Sequence, residues 1–106
     1  MPDSLQGTLD LLILKTLQVG PNHGFGIALH IQNVSEGLLR VEEGSLYPAL
    51  HRLAREKLIA ASWKVTENGR RARYYRLTAA GQKRLGKATE NWADLSKGVS
   101  KVLRFA

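Results

Sequence analysis

No cysteine occurs in the 106 residues. Disulfide frameworks, cysteine-based zinc fingers and thiol catalysis are therefore excluded, and the composition suits a reducing compartment. Long apolar runs are missing too. A run such as Leu11–Leu14 is far too short to span a bilayer. The N-terminus has no positive leader and no cleavage site, so no signal peptide is expected. Acidic residues are scarce, nine against sixteen Lys and Arg, for a formal net charge of +7. The expectation is a soluble, cytoplasmic chain with one modest core and no membrane partner.

The charge that is present is uneven. Residues 1–53 carry a net −2 and residues 54–106 a net +9. A polyanion approached from one side fits that asymmetry. Nucleic acid and an anionic membrane surface are both such partners, and plain solubility charge is the alternative.

Residues 1–6 read as loose chain or a first helical turn. From Gly7 to Val19, Leu9, Leu12, Ile13 and Leu17 form a helical stripe that Leu11 and Leu14 widen. A helix so apolar around its girth is expected to be covered on more than one side, in part by a second subunit. Gly20-Pro21 ends it. A second helix runs to about Ser35, with Ile27, Ala28, Ile31 and Val34 inward and Gly37 as its stop. The glycine-rich turn His23-Gly24-Phe25-Gly26 lacks the Lys-Ser/Thr of a phosphate loop and the third glycine of a dinucleotide site. Leu38–Val41 reads as a short third strand pairing with a later hairpin.

The stretch Glu43–Leu58 is the centre of the chain's organisation. Leu46, Ala49, Leu50 and Leu53 share one helical face. Ser45, Tyr47, Pro48, His51, Arg52 and Arg55 lie on the others, a set of groups that can hydrogen-bond to phosphates and base edges. Pro48 places the start of the regular helix near Ser45. An ordinary amphipathic surface helix is the plain alternative.

The period then changes from 3.6 to 2. Ile59, Ala61, Trp63 and Val65 alternate with Ala60, Ser62, Lys64 and Thr66. After Glu67-Asn68-Gly69-Arg70, Arg73, Tyr75 and Leu77 alternate with Ala72, Tyr74 and Arg76. Asn-Gly between two such runs signals a hairpin. Arg70, Arg71, Arg73 and Arg76 crowd it, with Lys64 on the partner strand. Three helices followed by a basic two-stranded ribbon make a winged helix-turn-helix, an α+β fold that is mainly helical. A solvated positive edge that discourages aggregation is the bland reading of the ribbon.

Thr78 can cap a last, long helix. Leu85, Ala88, Trp92, Leu95, Val99 and Val102 recur at steps of three and four, a heptad seam that Gly81 and Ala106 extend. Such a narrow stripe predicts dimerisation through residues 79–106, leaving residues 1–78 as the DNA-binding part. Trp92 would pack in the seam or line a pocket for a flat ligand. His23, His30 and His51 have no acidic neighbour at ligand spacing, so no metal is expected. No cofactor and no catalytic constellation are expected either.

Four segments resemble the PadR family of bacterial transcriptional regulators. They are GTLDLLIL at 7–14, GPNHGFGIA at 20–28, EGSLYPALHRL at 43–53 and ENGRRARYYRLT at 67–78. The resemblance spans almost the whole chain and points to the short subfamily with a single C-terminal helix. It implies a homodimeric repressor on an inverted-repeat operator in double-stranded DNA, bound to the nucleoid and released by a ligand or stress signal. Ser45, Tyr47, Pro48, His51 and Arg52 match its recognition helix. Asn68, Gly69, Arg70, Arg71 and Arg73 match its wing, which Lys64 would supplement. Trp92 matches the position that holds planar aromatic effectors between subunits in some members. Phe25 stands where Tyr is more usual, which would alter a hydrogen bond near the effector region. Lys57 stands where Gly is usual, Lys64 where Gly often follows the Trp, and Gly69 where Asn is common. These last three should leave the fold intact. A winged-helix module that meets an acidic protein partner, with no sequence-selective DNA binding, is the alternative function.

Overall fold

The computed structural model describes residues 4–105, with side chains from residue 7 onward. Residues 1–3 and Ala106, the outer ends of the expected regions, lie outside it. The order is α1 (Ser4–Val19), β1 (Asn22–His23), α2 (Gly24–Val34), α3 (Glu43–Arg55), β2 (Ile59–Val65), β3 (Arg71–Leu77) and α4 (Ala79–Arg104). The sheet is antiparallel, in the order β1-β3-β2.

The core is where the helical stripes converge. Ile13 and Leu14 of α1, Ile27 of α2, Leu46, Leu50 and Leu53 of α3 and Ile59 of β2 are all fully buried. Truncating any of these leucines or isoleucines to alanine costs about 2–5 kcal/mol. Helix α1 packs against α2, α3, β3 and α4. Its wide apolar girth is therefore covered largely by its own chain, with Leu9, Leu11 and Leu12 only partly buried.

The expected third strand lies elsewhere. Leu38 and Leu39 are exposed, outside any strand, and it is Asn22 and His23 that pair with Tyr75 and Tyr74 of β3. Packing of α1 carries the chain after Gly20-Pro21 past the free edge of β3, and a two-residue bridge leaves no periodicity to read. Helix α3 also begins earlier than Pro48 suggested, at Glu43, with Ser45 and Leu46 N–H groups donating to the Glu42 carbonyl. Pro48 thus sits inside the helix. The carbonyl it leaves without an intrahelical partner belongs to exposed Gly44, where water can satisfy it.

Helices α2 and α3 end in the same device. The Leu58 N–H donates to the Leu53 carbonyl and the Lys57 N–H to that of Ala54, a Schellman closure. Its left-handed position is Lys57, at φ 63°. At the end of α2 the Gly37 N–H donates to Gln32 and that of Glu36 to Asn33, with Glu36 at φ 56°.

Thr78 caps α4, its Oγ1 accepting from the Gly81 N–H while its one proton is shared between the carbonyls of Lys57 and Leu58, both within hydrogen-bond distance. That junction anchors α4 beneath the turn after α3. The helix then runs for 26 residues, about 39 Å at 1.5 Å per residue, along a molecule 55 Å in its longest dimension.

Candidate nucleic-acid interface

On α3, burial of Leu46, Ala49, Leu50 and Leu53 forces the opposite face outward. Ser45, Pro48, His51 and Arg55 are exposed there. Tyr47 lies at the edge of this face, 38% exposed. Its ring rests on Gly24, the first residue of α2: a β-carbon built on Gly24 would lie 2.8 Å from Cε1 and 2.9 Å from the hydroxyl. The HGFG and SLYP segments, read separately in the sequence, are thus one contact between two helices.

Arg52 takes a different position from the one expected. Its Nη2 donates to Asp10 Oδ1 of α1 at 2.6 Å, and Nη1 lies 3.7 Å from Glu56. The hydrogen bond it donates to Asp10 raises the guanidinium pKa above its ordinary value, with the charges of Asp10 and Glu56 adding to the effect against partial burial. Arg52 is a tie between α3 and α1. The guanidinium that α3 presents to solvent is that of Arg55, one turn beyond His51.

The HGFG turn is a capped helix start. His23 Nδ1 accepts from the Gly26 N–H at 3.0 Å, and the Asn22 side chain fills the space a β-carbon on Gly26 would need. The His23 ring meets Tyr74 edge-on, with centroids 5.2 Å apart.

The hairpin tip closes through Thr66 N–H to the Arg70 carbonyl and Gly69 N–H to the Thr66 carbonyl, with Gly69 at φ 76°. This is a turn followed by one left-handed residue, so the loop is three residues long, Glu67 to Gly69. It places Trp63 opposite Arg73 and Val65 opposite Arg71. Lys64, Asn68, Gly69, Arg70, Arg71 and Arg73 are all exposed. On one face of the ribbon the Arg71 and Arg73 guanidiniums lie 5.0 and 5.6 Å from the Trp63 ring centre. On the other, the Lys64 ammonium lies 5.4 Å from that of Tyr74. Trp63, Tyr74 and Asp10 escaped the sequence reading as partners of the basic groups. Alternation alone puts Trp63 on a face but cannot say what stands across from it.

On α4 the seam divides. Leu85, expected to face a second subunit, is 3% exposed and belongs to this chain's own core, and Gly81 is buried against the Leu58 carbonyl. The reason is the anchor at Thr78, which presses the first turns onto α1. Ala88 and Leu95 are partly buried, while Trp92, Val99 and Val102 are exposed.

Among the described residues no helix is long and apolar enough to cross a membrane. The sequence model of the Transcriptional regulator PadR-like family matches residues 13–87. A transcriptional regulator from Clostridium thermocellum has a solved structure that superposes with a TM-score of 0.83 at 30% identity, over 92% of this chain and 94% of that one. A PadR family transcriptional regulator from Eggerthella lenta gives 0.78 at 30% identity, over 93% and 85%. A transcriptional regulator of Mycobacterium tuberculosis is 37% identical over 68 residues, 64% of this chain and 63% of its own.

Proposed function

Because the chain belongs to the PadR-like family of transcriptional regulators, we propose that it binds double-stranded DNA in a sequence-selective manner and controls transcription from there. The observation that carries this reading is the outward face of α3. It combines a phenol, an imidazole and a guanidinium on a helix whose other side is locked into the core. The arginine-rich wing follows directly.

In this reading α3 enters the major groove, with Ser45, Tyr47, Pro48, His51 and Arg55 at the bases or their flanking phosphates. Arg52 acts on the groove only by holding α3 in place. Arg70, Arg71, Arg73 and Lys64 contact the backbone beside it, and Asn68 and Gly69 shape the tip. The protein is a homodimer joined through the distal part of α4, where Trp92, Val99 and Val102 leave an apolar stripe uncovered. Two such units match an inverted repeat with half-sites about 34 Å apart. The dimer represses, and a small molecule or stress signal acting near Trp92 releases it. The chain has no catalytic role.

Selection of bound duplexes from a random pool at two salt concentrations tests the core of this. An enriched inverted repeat whose affinity falls steeply with salt is the expected result. Unselective binding would favour an architectural role, and no binding at low salt would favour an acidic protein partner for the wing. Sedimentation of the free protein as a monomer at micromolar concentration would remove the dimer. Unchanged release by every active effector in Trp92→Ala would remove the pocket.

A further inference from the structure

Trp63 is 56% exposed near the end of the wing, beyond the reach of the core. An indole buries 150–250 Å² when it serves a core, and here it does not. What covers it instead is charge: the guanidiniums of Arg71 and Arg73, both within the 6 Å range of cation–π attraction. Among the described residues the ion pairs within 4 Å both belong to Arg52, so neither wing arginine is committed to an acid. A guanidinium held beside a ring by electrostatic attraction spends no N–H donor on an acid, so its donors stay available. Its flexible stem is meanwhile held, which lowers the ordering cost on binding a phosphate.

We propose that Trp63 is a positioning residue for DNA binding, holding Arg71 and Arg73 with their donors available to the phosphate backbone. Three features support this over a role in hairpin stability alone. The hairpin is already closed at its tip by Gly69 and the Thr66–Arg70 pairing. The register sets Trp63 directly opposite Arg73, with Arg71 on the diagonal, so one ring serves both cations. Arg70, next along the chain, is outside this stack, and so the wing has two ordered arginines and one without that restraint. The inference rests on the DNA-binding reading above.

The test uses the full chain and the duplex enriched by selection, with Trp63→Leu, Trp63→Phe, the pair Arg71→Ala/Arg73→Ala, and the triple variant with Trp63→Leu. Trp63→Leu is expected to weaken binding roughly 3- to 10-fold, from the loss of two cation–π contacts. Although no charge is removed, it should also flatten the dependence of log affinity on log salt by about one unit or more, as if a phosphate contact were lost. Trp63→Phe should recover most of both, which also guards against misfolding of the leucine variant. On the Arg71→Ala/Arg73→Ala background, Trp63→Leu should add nothing. A full additional loss on that background, or wild-type affinity and salt slope in Trp63→Leu while the arginine pair weakens binding, overturns the positioning role. If wild type itself shows no salt-dependent duplex binding, the DNA-binding reading falls and this role falls with it.

Discussion

Arg52 Nη2 and Asp10 Oδ1 meet at 2.6 Å, joining α3 to α1 across 42 residues of chain. Both side chains are about one-fifth exposed, so the pair is neither a freely solvated surface bridge nor a fully desolvated one. Arg52→Ala and Asp10→Ala should each lower stability by about 1–2 kcal/mol. Their coupling in a double-mutant cycle by urea unfolding should be near 1 kcal/mol. Additive losses would mean that the contact contributes nothing beyond its two ends.

Arg52→Ala and Arg55→Ala should then separate folding from binding. Arg55→Ala is expected to leave the unfolding free energy within about 0.5 kcal/mol of wild type, as exposed substitutions usually do. It should nevertheless weaken duplex binding several-fold and reduce the salt slope by about one. A duplex affinity unchanged by Arg55→Ala would remove that side chain from the interface.

Two glycines should respond differently to alanine. At Gly81 a β-carbon would run into the backbone carbonyl of Leu58, which is held by the Thr78 hydroxyl and N–H. Nothing there can yield without moving α4, and a loss of about 2–3 kcal/mol is expected. At Gly24 the β-carbon meets the Tyr47 ring, whose outer end can swing. Gly24→Ala should cost less than about 1 kcal/mol while changing affinity for the duplex recovered by selection through Tyr47. Thermal melts and duplex titrations of the two variants distinguish these outcomes, and equal destabilisation would contradict the steric account.

Lys57 and Glu36 occupy left-handed backbone at φ 63° and 56°. A side chain there costs roughly 1–2 kcal/mol, of which glycine regains part after its own entropy loss. Lys57→Gly should therefore stabilise the fold by about 0.5–1 kcal/mol. A lower melting temperature for Lys57→Gly would show that the lysine makes a compensating interaction.

Burial raises the Tyr75 phenol above its ordinary value, with Arg73 pulling in the opposite direction. The fold thus prefers the protonated phenol. The stability this preference contributes is complete below the ordinary tyrosine pKa of about 10. It is lost as pH rises through the higher folded value. Tyr75→Phe should unfold at urea concentrations that fall less between pH 9 and 11 than those of wild type. Parallel declines would place the alkaline sensitivity in other groups.

The order of the helices and of the β2–β3 hairpin was legible in the sequence because each signal is local, whereas the two-residue β1 was not. The 3.6-residue stripe of Leu46, Ala49, Leu50 and Leu53, the period-2 runs either side of Asn68-Gly69, and the cap at Thr78 each follow from a few neighbouring side chains. The concentration of arginine in the wing was equally plain. What no local signal carried was which side chains meet across elements. Asn-Gly is compatible with a two-residue loop, which would set Trp63 opposite Tyr74, and with the three-residue loop that sets it opposite Arg73. A one-residue slip exchanges the faces of a strand, so the register settles the cation–π stack. Docking of α1 on α3 turned Arg52 inward to Asp10 and left Arg55 outside. The anchor of α4 at Leu58 drew Leu85 into the core while Trp92 stayed exposed. Periodicity specified which faces are apolar. Only close packing in three dimensions, where a shift of one residue or one helical turn changes every partner, decided what each face touches.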